Sequence, residues 1–285
     1  MALIDVGDVR LNVLTPGGDG PPLVLVHGNL ASADWYRLCF DQLAARFRLI
    51  CVEWRGCGGS DKPEPLPNFA NYSPRQHALD ILEVLRVVGI EGCDMVGHST
   101  GAIIGNYMAC AEPRRFRKIV CLDPVPPQSL AFDAKAQAFF AAAQQDPRLA
   151  RWALAGAMCS LFEPETLEAG RTPAFRPTTS ESQRMLFDRL VGQACAASTG
   201  VWLGTPLTLD RLHAANDLVP RVAEIAHPHL ILYGCLDRVI PLAEVQAMTT
   251  IVRNTTFRII EGIGHSANVE RPELFAELVI EFLGS

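Results

Sequence analysis

Three residues in one chain order could carry nucleophilic chemistry: Ser99, Asp237 and His265. Ser99 sits in Gly97-His98-Ser99-Thr100-Gly101, between a strand-like run at 93–96 and a helix-like run at 102–110. A serine between glycines at a strand-to-helix turn can occupy a sharp bend with its hydroxyl exposed. Glycine is needed on either side because side chains would clash where the chain doubles back. The five-residue pattern arises by chance in roughly one chain in ten of this length, so its surroundings carry the case. A serine hydroxyl is a weak nucleophile until a base takes its proton, and histidine is the side chain that titrates near working pH. Among seven histidines, His265 lies in Gly262-Ile263-Gly264-His265-Ser266-Ala267-Asn268, just past a strand-like run at 256–260. Loops at the carboxyl ends of parallel strands are where such sheets build their sites. A carboxylate should orient that base and stabilise its cation. Asp237, just past the run at 230–233, is the first choice. Asp123, just past 119–122, is the rival, because its loop also comes within reach. The order Ser99, Asp237, His265 fits a Ser…Asp…His arrangement.

Charge that develops on a substrate oxygen needs fixed donors. The backbone N–H of Thr100, the residue after the serine, is one candidate. The other is Asn29 in His27-Gly28-Asn29-Leu30, where Gly28 lets the backbone approach closely. The elements that would position these groups alternate along the chain. Strands are expected at 9–15, 23–26, 48–52, 93–96, 119–122, 230–233 and 256–260, and helices at 32–47, 73–89, 102–110 and 272–283. Ser73-Pro74 supplies an N-cap and a first-turn proline, and Gly89 a stop. Strands alternating with helices imply an α/β fold with a mostly parallel sheet covered on both faces. The alternation fails between about 126 and 222, which is Ala-rich, helix-like and punctuated by proline and glycine. That stretch reads as a helical insertion, giving a core of 1–125 and 223–285 and an inserted segment of 126–222. Its apolar residues, among them Phe139, Phe140, Trp152, Phe162, Phe175, Phe187 and Trp202, should mostly pack together, with a minority facing a cavity.

The 285 residues are 49% apolar and 20% charged, with a net charge of −6. This is ordinary for a globular enzyme and gives no electrostatic footprint for nucleic acid or an anionic membrane. No apolar stretch reaches the length of a membrane span, and the first residues carry no basic segment followed by an apolar one. The nine cysteines are irregularly spaced and include no CxxC pair. They read as reduced thiols of a cytoplasmic protein rather than a disulfide framework or zinc site. His227-Pro228-His229 lacks a third ligand in sequence, so no metal is expected. His98 should pack at the serine turn.

Taken together these segments resemble the α/β-hydrolase family over nearly the whole chain. His27-Gly28-Asn29 looks like the family's oxyanion segment. Arg55-Gly56-Cys57-Gly58-Gly59-Ser60-Asp61-Lys62-Pro63 looks like its R-G-x-G-x-S-x-x-P loop, and Gly97 to Gly101 like its nucleophile elbow. Gly234 to Pro241 and Gly264-His265 with Glu270-Arg271-Pro272-Glu273 look like its acid and histidine loops. The insertion falls where the family carries a helical cap, after the sixth strand. Glu53-Trp54 departs from the family's usual aspartate and aliphatic residue, and Cys57 from its usual histidine, and both should bear at most on the pocket floor. The resemblance implies a cap-bearing serine esterase or lactonase that needs no cofactor and acts on a small uncharged or weakly polar ester. Its epoxide hydrolases and haloalkane dehalogenases carry aspartate at the elbow, so Ser99 argues against those chemistries. The same scaffold also supports C–C bond hydrolases, perhydrolases of the haloperoxidase type, and cofactor-free dioxygenases, which would favour Asp123 as the acid. A ligand receptor that binds without catalysis is the alternative from another class. Substrate identity resides in the insertion, where no motif is present, and oligomeric state leaves no sequence signature.

Overall fold

The structure is a computed structural model and describes residues 2–284. Its eight strands are β1 (Ala2–Asp5), β2 (Arg10–Leu14), β3 (Pro22–Val26), β4 (Arg48–Val52), β5 (Cys93–His98), β6 (Phe116–Leu122), β7 (His229–Gly234) and β8 (Thr255–Ile260). They form one sheet in the order β1-β2-β4-β3-β5-β6-β7-β8. β2 pairs antiparallel with both β1 and β4, and every pairing from β4 to β8 is parallel.

The central strands are apolar on both faces because helices cover both faces. Alternate residues of one strand point opposite ways. Val24, Met95, Ile119 and Ile231 therefore pack with Ile81, Leu85 and Ile104 of the helices Pro74–Val87 and Thr100–Ala111. Leu25, Val96, Val120 and Leu230 pack on the other side with Leu43, Phe275 and Val279, the last two from the helix Pro272–Gly284. Ser73 caps Pro74–Val87 by accepting the Gln76 N–H at 3.2 Å, as its sequence requires.

Three elements differ from the sequence reading, one of them the helix Leu242–Ile251 between β7 and β8, which has no side-chain cap to mark its start. β1 is an edge strand of only four residues, Ala-Leu-Ile-Asp, whose side chains are mostly exposed, and so short a run does not stand out in the sequence. The helix expected at 32–47 is a 3-10 segment, Ala33–Cys39, followed by a short helix, Phe40–Ala44. Residues 33–36 are all buried, a pattern that no amphipathic α-helical face provides.

Between β6 and β7, the sixth and seventh strands, the chain is helical: Ala134–Gln145, Pro147–Ala157, Glu181–Cys195 and Thr205–Ala215. Its first three helices are capped by Asp133, Asp146 and Ser180, the last in a reciprocal box with Gln183. The only strand-like contact in this stretch, among the described residues, is an isolated bridge between Phe162 and Phe175, whose rings stack at 4.5 Å. Phe162, Phe187 and Trp202 are fully buried and join the same apolar core as one face of the sheet.

The polar motif after β4 is structural. The Arg55 guanidinium is fully buried, and its Nε and one terminal nitrogen donate to Asp80 at 2.7 and 2.8 Å. Both terminal nitrogens also donate to Asp8, each at 3.0 Å. Glu53 gathers the Asn12 side-chain amide at 2.8 Å and the N–H groups of Ala33 and Gly59 at 3.1 and 2.7 Å. Trp54 lies between two imidazoles, stacked on His27 at 4.8 Å and edge-on to His77 at 4.4 Å. These residues brace the loop beneath the site, and none of Glu53, Trp54 and Cys57 lines the cavities at Ser99.

Candidate active site

β5 runs straight into the bend at Ser99, whose φ of 52° and ψ of −120° lie in the region L-residues avoid. Such a conformation costs roughly 1–3 kcal/mol and persists only where its surroundings enforce it. Here the Ser99 N–H donates to the Leu122 carbonyl at 2.9 Å, and the Ser99 carbonyl accepts from Val125 at 3.0 Å. The flanking glycines are required by contact. A Cβ on Gly101 would stand 2.3 Å from the Val26 carbonyl, and one on Gly97 would stand 2.7 Å from the Gly101 carbonyl. Ser99 thus sits at the carboxyl end of β5 with one side toward a cavity that His265 also lines.

His265 is 4% exposed and its ring Nδ1 meets Asp237 Oδ2 at 2.8 Å. Asp237 is oriented for this. Its other oxygen accepts the N–H groups of Val239 at 2.6 Å and Ile240 at 3.2 Å, which leaves Oδ2 for the imidazole. Burial works against a charged His265, but the adjacent Asp237 carboxylate outweighs it and lifts the histidine above its ordinary value. With Nδ1 bound to a carboxylate, Nε2 is the nitrogen left to act as base. No hydrogen bond joins Ser99 Oγ to His265 among the described residues; in unliganded sites such contacts are commonly long and tighten with substrate.

Asp123 also comes close. It lies at the end of β6 with φ of 43°, fully buried, and one oxygen accepts the Gly234 N–H at 2.7 Å. One ligand-type atom from each of Asp123, His98 and His265 falls within 4.8 Å of the other two. The second Asp123 oxygen has no hydrogen-bond partner among the described residues. Burial pushes this carboxyl well above its ordinary value. The structure therefore brings both candidate acids to one histidine and gives the hydrogen bond to Asp237.

The two candidate donors, Asn29 and Thr100, border one cavity with Ser99. Thr100 opens the helix Thr100–Ala111, so its N–H has no carbonyl within the helix to bind. Asn29 borders the same cavity wall as Ser99. Gly28 is pressed against the elbow: a Cβ there would lie 3.0 Å from Ser99 Cβ and 3.1 Å from His98 Nδ1. The His98 ring packs between Trp35 at 5.2 Å and His265 at 5.0 Å, tilted to both. Its Nε2 meets the His265 carbonyl at 2.7 Å, so it braces the loop of the base. His227 and His229 engage the carbonyls of Pro113 and His227 and stand at the foot of β7, away from the site.

One residue escaped the sequence reading. Glu270 is buried and accepts five N–H or O–H contacts within reach of one carboxylate. These come from Gly264 N–H to both oxygens at 3.0 and 3.1 Å, Ser266 N–H at 3.0 Å, Ser160 N–H at 3.0 Å and Ser160 Oγ at 2.5 Å. It fastens the two residues flanking His265 and ties them to the helical insertion. The His265 N–H itself donates to the Ala157 carbonyl at 2.7 Å, at the end of the helix Pro147–Ala157. Its sequence signal is a carboxylate five residues after the base, in the stretch that resembles the family's histidine loop.

An open parallel sheet with a strained serine elbow, a carboxylate-bound histidine and a helical cap after the sixth strand defines an α/β hydrolase. The family model described as "Alpha/beta hydrolase family" matches residues 23–278, and the chain belongs to that family. It is similar to a fluoroacetate dehalogenase from Burkholderia sp, with 39% identity over 124 residues, 44% of this chain and 40% of that protein. It is 25% identical over 283 residues to a 2-(acetamidomethylene)succinate hydrolase from Mesorhizobium japonicum, covering 98% of this chain and 94% of the relative. An esterase structure from Exiguobacterium antarcticum superposes with a TM-score of 0.80 at 20% identity, covering 99% of this chain and 98% of that one. The protein is a hydrolase. No helix among the described residues is long and apolar enough to cross a membrane.

Proposed function

We propose that this hydrolase cleaves a small carboxylic ester or lactone through an acyl-enzyme on Ser99. The observation that carries the reading is the His265–Asp237 hydrogen bond of 2.8 Å beside a cavity that Ser99 shares. Ser99 Oγ attacks the carbonyl carbon while His265 Nε2 takes its proton. The N–H groups of Asn29 and Thr100 receive the developing oxyanion, a contribution of about 3–4 kcal/mol per donor. His265 then delivers the proton to the leaving oxygen, and water releases the acyl group by the same route. Asp237 is the acid of this triad, and residues 126–222 act as the cap. No step calls for a cofactor. Nine free cysteines, six of them buried, suit a reducing cytoplasmic setting.

Dehalogenation, the activity named for one relative, fits this elbow poorly. Displacement of halide from a saturated carbon by Ser99 would leave an alkyl ether, which has no carbonyl for water to attack. A carboxylate nucleophile leaves an ester that water can open; a serine leaves a dead end. A cofactor-free dioxygenase would draw on Asp123 as the acid, whereas the histidine here is bonded to Asp237.

A fluorophosphonate probe tests the reading. Wild-type protein should label stoichiometrically and Ser99→Ala should not, with its fold intact by circular dichroism and its esterase turnover reduced to background. Turnover that survives in Ser99→Ala would remove Ser99 from the mechanism. Protein that never labels would favour a receptor.

A further inference from the structure

Two cavities meet at Ser99. One has a volume of about 320 Å³ and the other about 410 Å³, each within the range that accepts a ligand-sized group. Asn29, Ser99, Phe140 and Val239 line both and form the waist between them. The walls then diverge in kind. Trp35, Phe139, Trp152 and Trp202 line the first alone, whereas the second has one aromatic residue of its own, Phe132, among the aliphatic Val125, Leu130, Pro206 and Leu209. The reacting groups are divided as well: His265 borders only the first cavity and Thr100 only the second.

We propose that the substrate is a linear ester with two apolar arms, an arylalkyl alcohol in the aromatic cavity and an aliphatic acyl chain in the other. This rests on the serine-hydrolase reading and extends it. The carbonyl carbon must lie at the waist, within reach of Ser99 Oγ and Asn29. A small ring closed on itself cannot enter both cavities, whereas a linear ester must send one arm each way.

Proton delivery fixes which arm goes where. In acylation the Ser99 Oγ–acyl carbon bond forms, the bond from acyl carbon to alkoxy oxygen breaks, and the serine proton passes through His265 to the departing alkoxide. The leaving oxygen must therefore lie on the side of His265, which is the aromatic cavity. The acyl group stays on Ser99 in the cavity beside Thr100. In deacylation a water oxygen bonds to the acyl carbon, the Oγ–carbon bond breaks, and the water's proton returns through His265 to Ser99.

The aromatic walls suit a flat arm. Phe139 meets Trp152 edge-to-face at 6.1 Å, and Phe140 meets Trp202 the same way at 6.5 Å, so an inserted ring finds both faces and edges to pack on. The charged groups of the two linings leave the arms apolar. Arg238 is exposed at the first cavity's mouth, and Glu244 is engaged by the Gln128 side chain at 3.3 Å.

Two isomeric esters with the arms exchanged test this: 2-phenylethyl hexanoate and hexyl phenylacetate. Each kcat/KM is divided by the ester's alkaline hydrolysis rate, and fluorophosphonate labelling is run on the same protein. The expected result is at least a roughly tenfold preference for 2-phenylethyl hexanoate, the low end of what one well-fitted apolar group contributes to discrimination. Trp152→Leu should bring the ratio toward one by raising KM for that ester. An equal or reversed ratio on protein that labels overturns the assignment of arms while the hydrolase reading stands. Labelled protein that hydrolyses neither ester overturns it too. Absence of both labelling and turnover removes the hydrolase reading itself.

Discussion

Asp237 and Asp123 are two carboxyls beside one imidazole, and their surroundings set them apart. Asp237 has two backbone N–H groups on one oxygen and the histidine on the other. Asp123 has a single N–H for its two oxygens and is pushed toward the neutral acid by burial. Asp237→Asn should therefore lower kcat by about 10⁴-fold, the scale seen when a triad histidine loses its carboxylate, and Asp123→Asn should stay near wild type. The pH profile carries a sign as well. His265 is raised above the ordinary ~6.5 of a histidine, and a base works only when neutral. The acid limb of kcat/KM should then have its midpoint above that value. The groups facing the ring are Asp237, Asp123, Glu270 and His98. Removing the Asp237 charge leaves burial dominant, so the limb in Asp237→Asn should move to lower pH. A larger loss in Asp123→Asn than in Asp237→Asn would transfer the acid role. Ser99, His265 and both acids were legible because each stands at a strand end with a local pattern. Glu270 was not, because its four donor groups come from two separated segments that only the fold brings together.

At the scale of elements, the sheet brings together what the sequence scatters. A Cβ on Gly234 would lie 1.8 Å from the Gly264 carbonyl, so the end of the acid's strand touches the loop of the base with no room for a side chain. Strand and helix positions were readable wherever an apolar run or a cap marked them, as at Ser73-Pro74 or residues 93–96. They failed at β1, which buries little, and in residues 33–36, which bury everything. The motif loop after β4 shows the difference between resemblance and role, since its arginine is a brace. Asp80→Asn would leave the buried Arg55 cation paired only with the exposed Asp8. Breaking one side of such a pair costs about 3–5 kcal/mol. Urea unfolding should therefore show a loss of unfolding free energy of about that size, read as a lower midpoint at constant slope. A change under about 1 kcal/mol would mean that Asp8 alone satisfies the guanidinium.

Across the whole molecule, four histidines are buried and resist protonation. Burial lowers His27 to about 3 and His229 to about 4, and holds His77 and His98 well below the ordinary value. Their folded values are depressed, so below about 6.5 the unfolded chain takes up protons that the folded one refuses. Stability from this source is complete above that pH and is lost as pH falls. The buried acids Asp123 and Glu270 work the other way, holding protons the unfolded chain releases above about 4. The histidine contribution is isolated by comparison with His77→Phe, which keeps a ring against Trp54. That variant should gain thermal stability relative to wild type at pH 5 and show less of a gain at pH 7.5. A difference that does not change with pH would mean that His77 is protonated in the fold or equally shielded when unfolded.

The cap is not an independent part laid over the core. Asp34, on the core side, accepts Arg189 and Gln193 from the helix Glu181–Cys195 at 2.5 and 2.6 Å. Ser160 shares the carboxylate that sets the histidine loop, and Ala157 holds the His265 N–H. A foreign cap spliced at the ends of β6 and β7 would bring its own walls but would remove these contacts and unseat the base. Inheritance of a new substrate range through exchange of the cap as a cassette is thereby closed to this chain. New specificity has to come residue by residue along the cavity walls, with the contacts of Ala157 and Ser160 left untouched.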